Sequence, residues 1–464
     1  MALRNNYKIR IATQENIAAQ HSHKAALTNN LPRIEASALY MHSQRSISLI
    51  NHKQERALRT MGTTLQQANT NILEQLTNAL PELAPILSLL QNTDIFTQLN
   101  EIGNSIANTL CPDTRNIYAA TVTVTQPIYT GGKISAYKKI TEYLENITAN
   151  NIESVRQSTI EATEQTYWLI VSLANKEQLA HSYLELINEL RKNVEELQRQ
   201  GMATKSQLLS VDVSLNEARS QLLRAQNATL LARMLLNTIC ALPQDCTLTL
   251  ADEKNIQCRQ LDQTAIKENI PTATNISDSI AIDNNPEFQN LKFATSISHQ
   301  ETKVVRADYL PQLGLSVSYL ISNPSLTDGF QNKFGDTWNI GIELKIPLWS
   351  WNERAHKIKA SRAKEHIAQY TLDDSRRMLL LLIEQSRRRI SEAEATLSIA
   401  ISNVDVADEN LRTARIAFDE GLLNSDEFMA AHTVWLKAHT AHIDAKIEII
   451  MSEIRLKKAL GILK

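Results

Sequence analysis

An internal repeat with a fixed offset is the feature that most constrains the fold of this chain. Gly201 and Gly421 are 220 residues apart, and the residues that follow them align at that offset without a gap. Seam positions, most of them apolar and spaced alternately by three and four residues as in the heptads of coiled coils, follow each glycine. In the first copy they are Leu208, Val211, Leu215, Ala218, Leu222, Ala225, Thr229, Ala232, Leu236 and Ile239, and in the second Phe428, Ala431, Trp435, Ala438, His442, Ala445, Ile449, Ser452, Leu456 and Ala459. The repeat predicts two equivalent helical hairpins, each turning at a glycine.

The duplication extends beyond the hairpins. Residues 126–129 match residues 346–349 at the same offset, whereas residues 30–34 match residues 309–313 at an offset of 279. An insertion in the first copy, at about 60–115, accounts for the change of offset. The predicted division is therefore a first copy over 1–242, a linker over 243–283 and a second copy over 284–464.

Each copy predicts the same order of elements. A helix ends at Leu-Pro, because proline disfavours helix in the residue before it. Two strands follow, and Pro127 or Pro347 ends the second of them. A very long helix then runs to the glycine, and a shorter one returns. The predicted ranges, first copy then second, are helices 4–30 and 284–309, strands 33–39 and 312–318, strands 121–125 and 339–346, long helices 133–200 and 353–420, and returning helices to Leu242 and Leu463.

Helix lengths predict how these pieces stack. The long helices would span about 100 Å and the returning ones about 60 Å at 1.5 Å per residue. The economical arrangement places one long helix beside two shorter ones stacked end to end. With only 11 glycines and 11 prolines in 464 residues, few other turns are available. The fold class predicted is mainly α with short β: an internally duplicated coiled-coil barrel of long helices, plus four strands per chain.

Four strands cannot close a barrel, and an open edge cannot stand in lipid, since its backbone groups would lack partners. Three chains would supply twelve strands, within the range of bacterial barrels. The alternation places apolar residues on a lipid face: Val122, Val124, Ile340, Ile342, Leu344 and Ile346. It places polar residues toward a wet lumen: Thr121, Thr123, Thr125, Glu343 and Lys345. Two soluble hairpins capping a helical bundle remain an alternative on this pattern alone.

Several short motifs carry a resemblance to a known family. Residues 123–133 (Thr-Val-Thr-Gln-Pro-Ile-Tyr-Thr-Gly-Gly-Lys) resemble the second strand and strand–helix junction of the TolC-like outer-membrane efflux proteins, and so do residues 343–349. Residues 456–461 resemble that family's last helix and residues 2–6 its first. The resemblance covers nearly the whole chain apart from the insertion and the 243–283 segment. Each motif is moderately specific, and their duplicated order is highly specific.

The resemblance implies a homotrimer whose twelve-stranded barrel crosses the outer membrane of a Gram-negative bacterium and whose helical tunnel crosses the periplasm. It implies two protein partners, a periplasmic adaptor and an inner-membrane transporter, and efflux of small molecules. Type I protein secretion is the alternative, because the conduit is shared and the pump selects the cargo. A soluble coiled-coil scaffold is a further, less favoured reading.

The resemblance also implies site residues. The adaptor would contact the two hairpin tips at Gly201, Met202, Ala203, Gly421, Leu422 and Leu423. Asp426 and Glu427 would form a carboxylate ring at the pore constriction, which favours cations. The alternative is a solvated helix start, where acids favour the helix dipole. The chain departs from the family at 204–207 (Thr-Lys-Ser-Gln), where no acid stands, and at Leu423, a position where a basic gating residue can occur.

Other patterns indicate neither an enzyme nor a cofactor. No catalytic motif emerges, the four cysteines form no CxxC, and a net charge of −2 argues against nucleic acid as a partner. His439 and His442, with His432 one or two turns away, suggest a metal site only weakly, since no carboxylate completes the set and His442 occupies a packing position, so no metal is predicted. The chain opens without a signal peptide, as if inside an amphipathic helix, which predicts a start within the protein or one assigned late. The insertion predicts short helices, broken at Pro81 and Pro85, that plug, cap or decorate the barrel mouth.

Overall fold

The computed structural model describes residues 1–463 except 45, 47–49, 80–93, 112–114, 254–277 and 329–330. Contacts divide it into two units. One is helical and comprises residues 1–26, 135–305 and 355–464; the other holds the strands and the insertion and comprises residues 27–134 and 306–354. Each unit therefore draws on both halves of the sequence.

The elements alternate in the predicted order. The helices are α1 (Ala2–Asn5), α2 (Tyr7–Leu27), α3 (His52–Arg59), α4 (Met61–Ala79), α5 (Asp94–Leu110), α6 (Lys133–Arg199), α7 (Lys205–Ile239), α8 (Asp278–Asn284), α9 (Pro286–Ala307), α10 (Glu353–Asp419) and α11 (Ser425–Ala459). The strands are β1 (Arg33–His42), β2 (Asn116–Tyr129), β3 (Gln312–Asn323) and β4 (Gly335–Lys345).

The long helices agree with the prediction to within one residue. Both α6 and α10 have 67 residues, and both α7 and α11 have 35. The returning helices end at Ile239 and Ala459, before the predicted Leu242 and Leu463, because Ala241 and Gly461 adopt left-handed backbone. At 1.5 Å per residue the long pair spans about 100 Å and the short pair about 50 Å, less than the predicted 60 Å. Equal lengths in the two copies follow from the 220-residue offset, because the same glycine ends each long helix.

The core of the helical unit is a series of small clusters along the helices. The largest joins the two hairpins through buried residues of α6, α7, α10 and α11: Tyr183, Ile187, Leu190, Val194, Val211, Leu215, Ala218, Ala414, Phe428 and Ala431. These are the seam positions predicted from the heptad spacing, together with their neighbours on α6 and α10. The heptad pattern therefore identified the residues that α7 and α11 contribute to this cluster.

The four strands form one antiparallel sheet in the order β1-β2-β3-β4. The prediction that Pro127 ends the second strand is wrong: β2 continues to Tyr129, with a register shift between Pro127 and Tyr129. A proline lacks the N–H of a ladder residue but is tolerated at such an irregularity. Pro347 does lie beyond the end of β4.

The described residues of the insertion form three helices, α3, α4 and α5, between β1 and β2. The first begins at His52, earlier than the predicted 60, because Asn51 closes a capping box with Gln54. Gly62 and Gly103 allow close packing: a Cβ atom on either would lie 2.0 Å from a backbone carbonyl oxygen, of Phe96 and Leu58 respectively. The predicted breaks at Pro81 and Pro85 lie outside the described residues.

Within the part of the chain that the structure describes, no helix is long and apolar enough to cross a membrane. The three cysteines in that part, Cys111, Cys240 and Cys246, are free thiols. Cys258 lies outside the described residues.

Candidate functional site

The two hairpin tips have the same backbone geometry. Gly201 and Gly421 adopt φ values of +78° and +73°, the left-handed region that favours glycine. The Met202 amide donates to the Leu197 carbonyl at 2.8 Å, and the Leu422 amide donates to the Ala417 carbonyl at 2.8 Å. This is the Schellman ending of a helix, in which a left-handed glycine satisfies the last carbonyl groups. The repeat thus builds two equivalent turns.

A capping box starts the returning helix at each tip. Thr204 and Gln207 form it in the first copy, and Asn424 and Glu427 in the second. In each box the cap side chain accepts from a backbone amide three residues on, and that residue's side chain accepts from the cap amide. The chain therefore turns within three residues at each tip, from the glycine to the residue before the cap: 201–203 and 421–423.

The six predicted tip residues differ in exposure. Met202 and Leu422 are 75% and 82% exposed and project from the two turns, and both glycines are exposed as well. Ala203 and Leu423 are half-buried and pack against the cluster that joins the hairpins. Each tip therefore exposes one large apolar side chain, Met202 or Leu422, and the residue after it packs against the helices.

An aromatic cluster lies behind the second tip. Phe428 is buried and stacks on Phe418, with ring centroids 4.9 Å apart, and His432 meets Phe428 edge-on at 4.7 Å. Tyr183 of α6 lies 6.4 Å from the His432 ring. The cluster thus ties the second hairpin to the long helix of the first.

His432 is a functional candidate that the sequence indicated only as a remote metal ligand. Its side chain is 1% exposed, and its Nε2 atom has no hydrogen-bond partner among the described residues. Burial, with a smaller contribution from the nearby Arg415 guanidinium, lowers the pKa of His432 to about 4. The equivalent residue of the first copy is Asp212, which pairs with Arg191 at 2.6 Å. This break in the repeat was the available sign that position 432 differs.

The two predicted constriction acids lie in the first turn of α11 and are both exposed. Asp426 accepts a hydrogen bond of 3.2 Å from the Ser210 hydroxyl of α7. The Glu427 carboxylate accepts from the Asn424 amide at 3.3 Å and so serves the capping box. A groove of about 520 Å³ runs between α10 and α11 beside Glu427. The structure brings both acids to the tip, as expected, and gives each a local partner.

His439 has one potential ligand beside it, and neither His439 nor His442 belongs to a group of three such residues among those described. His439 Nε2 lies 2.9 Å from an Asp408 carboxylate oxygen that also accepts from Trp435 at 2.6 Å. Among the described residues no group of three potential metal ligands occurs. Burial is the main cause that lowers the pKa of His442, and Lys446 adds to it. Both features agree with a histidine that packs between helices.

One face of the sheet is mainly apolar and the other mainly polar, the register placing Leu39 and Leu320 on the polar one. Directly opposed residues in an antiparallel pair lie on the same face, so the register assigns each side chain. The apolar face carries Ile34, Ala36, Val122, Val124, Leu315, Val317, Ile340, Ile342 and Leu344. The polar face carries Glu35, Ser37, Thr121, Thr123, Thr125, Ser316, Ser318, Asn339, Glu343 and Lys345. The five residues predicted to line a lumen thus share one face, and Ile346 lies one residue beyond β4.

Aromatic side chains lie at both ends of the apolar face. Tyr40 and Tyr118 have ring centroids 5.0 Å apart, and Trp338 follows on β4. Beyond the other end of β4, Trp349 and Trp351 are exposed and meet edge to face at 5.9 Å. A strand as long as β4, tilted by about 40°, would rise about 25 Å along the barrel axis. This is the height of the lipid-facing band of outer-membrane barrels.

Replacing Gly201 or Gly421 with alanine is expected to destabilise the corresponding tip. Space for a Cβ atom is open at both positions, so the cost comes from the left-handed backbone, about 1–2 kcal/mol. Hydrogen exchange of the Met202 or Leu422 amide should accelerate about tenfold, since 1.4 kcal/mol is a factor of ten. Gln200→Ala, where the backbone is not left-handed, is the control, and equal exchange in all three variants would contradict the prediction.

Comparison with known proteins gives consistent results. The sequence profile of a family described as outer membrane efflux protein matches residues 53–241 and 279–462. The alkaline protease secretion protein AprF of Pseudomonas aeruginosa is 22% identical over 348 residues, which are 75% of this chain and 70% of AprF. The crystal structure of the CmeC outer membrane channel of Campylobacter jejuni is similar with a TM-score of 0.73 and 16% identity, covering 99% of this chain and 84% of CmeC. The outer membrane protein VceC of Vibrio cholerae is similar with a TM-score of 0.71 and 14% identity, covering 99% and 94%.

Proposed function

The chain belongs to the outer membrane efflux protein family, and from that premise we propose that three copies form a channel-tunnel conducting small molecules to the cell exterior. The observation that carries the proposal is the sheet. It has one exposed apolar face, one polar face and two open edges, at β1 and β4. In lipid such edges must pair, and the edges of two further copies supply partners, giving twelve strands around a polar lumen.

The helical unit supports assembly with further copies. Helices α7 and α10 carry large apolar side chains that one chain leaves exposed: Leu209, Val213, Leu223, Leu230, Leu231, Ile399, Val406 and Ile416. Several are seven residues apart, as in a coiled-coil seam. The apolar seam of α6 is buried within the chain. The exposed seams therefore fit the packing of α7 against α10 of a neighbouring copy.

The remaining roles follow from the same assembly. The six tip residues would meet a periplasmic adaptor, and Asp426 and Glu427 would give the pore mouth a ring of carboxylates that favours cations. Thr121, Thr123, Thr125, Glu343 and Lys345 would line the lumen. Residues 1–242 and 284–464 would be the two copies of the duplicated unit, joined by 243–283. An inner-membrane transporter would supply the cargo.

Protein secretion is the second candidate function. It is favoured by the similarity to AprF, which is described as an alkaline protease secretion protein. The same conduit would serve both roles, because the pump selects the cargo. Identification of the transporter that co-purifies with the chain distinguishes the two.

The direct test is membrane fractionation combined with electrophoresis and conductance. The protein is expected in the outer-membrane fraction, as a trimer that resists mild heating in detergent, and purified trimers are expected to form cation-preferring channels in planar bilayers. Recovery as a soluble monomer would contradict the proposal.

Replacing both Met202 and Leu422 with aspartate is expected to weaken adaptor binding without preventing trimer formation. Burying such a side chain in a contact is worth about 1.5–3 kcal/mol, so loss of the pair should reduce affinity at least tenfold. Binding of the purified adaptor to the trimer by biolayer interferometry measures the effect. Lys205→Glu, which also adds negative charge at a tip, should change affinity much less. Equal losses in both variants would mean that charge, and not apolar contact, governs docking.

A further inference from the structure

The insertion has an apolar stripe on α5 that the described residues leave mostly exposed. Helix α5 buries Gly103 and Ala107 against the rest of the insertion. A second row, spaced by four, three and four residues, consists of Ile95, Leu99, Ile102 and Ile106. Ile95 and Ile102 are 64% and 53% exposed, and Ile106 is also exposed. Helix α4 adds Leu65 and Ile72, seven residues apart and both exposed.

The charge pattern of the insertion indicates what covers this stripe. Helices α4 and α5, which carry the stripe, contain no lysine or arginine, whereas Lys53, Arg56 and Arg59 of the insertion lie on α3. The stripe itself therefore offers no cations to anionic lipid headgroups. The stripe of α5 is flanked by Gln98, Ser105 and Thr109, which are neutral. A heptad seam with neutral flanks can pack against another copy of itself, because no like charges meet.

The position of the insertion makes that contact geometrically feasible. It connects β1 to β2, and the Ser43 amide donates to the Arg115 carbonyl at 2.7 Å, which extends the ladder to the base of the insertion. A twelve-stranded barrel with a strand spacing of about 4.8 Å and a tilt of about 40° has a radius on the order of 12 Å. Helix α5 is about 25 Å long at 1.5 Å per residue. Three such helices are therefore long enough to meet on the axis.

We propose that the three insertions of a trimer bind one another through the α5 stripe, forming a helical cap of self-associated copies over the channel mouth. The occupant of the stripe is a second copy of this chain. The inference rests on the proposed trimeric channel and adds a contact that strand pairing and the long helices do not require.

Disulfide trapping tests the proposal in the full-length protein. Ile102→Cys is introduced in a chain whose four native cysteines are replaced by serine, and the trimer in outer membranes is treated with a mild oxidant. Two Cβ atoms must approach to about 4.5 Å for a disulfide to form, which a shared seam allows. Covalent dimers are expected in high yield, because one cysteine per chain links two of the three copies. The matched control is Glu101→Cys, which is exposed and lies about 100° around α5 from Ile102, where several-fold less dimer is expected.

The same samples separate failure of this inference from failure of the trimer. Heat-resistant trimers are scored on gels run without oxidant. If trimers are present and Ile102→Cys yields no more dimer than Glu101→Cys, the stripe is covered within its own chain or by another molecule and the cap is refuted. If trimers are absent, the proposed channel itself fails, and the cap with it. A further variant, Ile102→Asp, should lower the temperature at which the trimer dissociates, whereas Glu101→Gln should not.

Discussion

Replacing Ile342 with arginine is expected to prevent the protein from assembling in the outer membrane. Ile342 lies within β4, on the apolar face, and is 71% exposed. In the proposed trimer this position is near the middle of the lipid-facing band, where an arginine costs about 2–4 kcal/mol in each copy. Three copies place the penalty at three equivalent positions of one barrel. Heat-resistant trimers and the outer-membrane fraction should both be lost.

Asn339→Arg is the matched control for this prediction. Asn339 belongs to the same strand but to the polar face, where its register partner is Ser318. The arginine would then face a water-filled lumen, so the trimer should form. Three added positive charges should shift the conductance of the reconstituted channel toward anions. If both variants assemble equally well, the apolar face does not face lipid, and the proposed sidedness of the sheet is wrong.

The sequence predicted the helical part of the fold to within a residue at the long helices, for a physical reason. Heptad spacing identifies the buried side of a helix, and Gly201 and Gly421 mark the places where only a left-handed residue continues the chain. The same two signals appear twice at a fixed offset, so each copy supports the other. The family matched by the chain, with its fold, confirms the resemblance found in the short motifs.

Strand ends were predicted less well, because their determinants are not local. Pro127 was expected to end a strand, yet β2 passes through it, since the neighbouring β3 accommodates a register shift. β1 and β2 also extend toward the insertion, to His42 and from Asn116, beyond the alternating segments used to predict them. A ladder is completed by partners distant in the sequence, which alternation in one strand does not reveal.

The candidate site shows the same limit. Positions of the tip residues followed from the glycines, but the division into exposed Met202 and Leu422 and half-buried Ala203 and Leu423 depends on how the two hairpins meet. His432 was considered only as a remote metal ligand. Its burial depends on α6, whose Tyr183 approaches it from more than 200 residues away in the sequence. Pairing between the hairpins creates this environment, and no pattern within one hairpin contains it.

Lowering the pH from 7.5 to 5 is expected to destabilise the second hairpin tip through His432. In the unfolded chain a histidine has a pKa near 6.5, whereas burial holds the pKa of His432 at about 4. Between these values the unfolded state binds more protons than the folded state, so stability falls as the pH falls through this range. The His432 imidazole does not affect the stability above about pH 6.5, and below about pH 4 it causes no further loss. The full loss is about 3 kcal/mol, and about 2 kcal/mol is reached at pH 5.

His432→Phe is expected to abolish this contribution while keeping the ring contacts with Phe428 and Tyr183. It also removes a buried nitrogen that lacks a partner among the described residues, so stability at pH 7.5 should be equal or higher. Hydrogen exchange of amides in the first turns of α11, corrected for the intrinsic effect of pH, measures opening of the tip. His442, whose pKa burial also lowers, acts in the same direction. The difference between the two proteins therefore isolates His432, and coincident profiles from pH 7.5 to 4.5 would show that its imidazole is not held neutral between the hairpins.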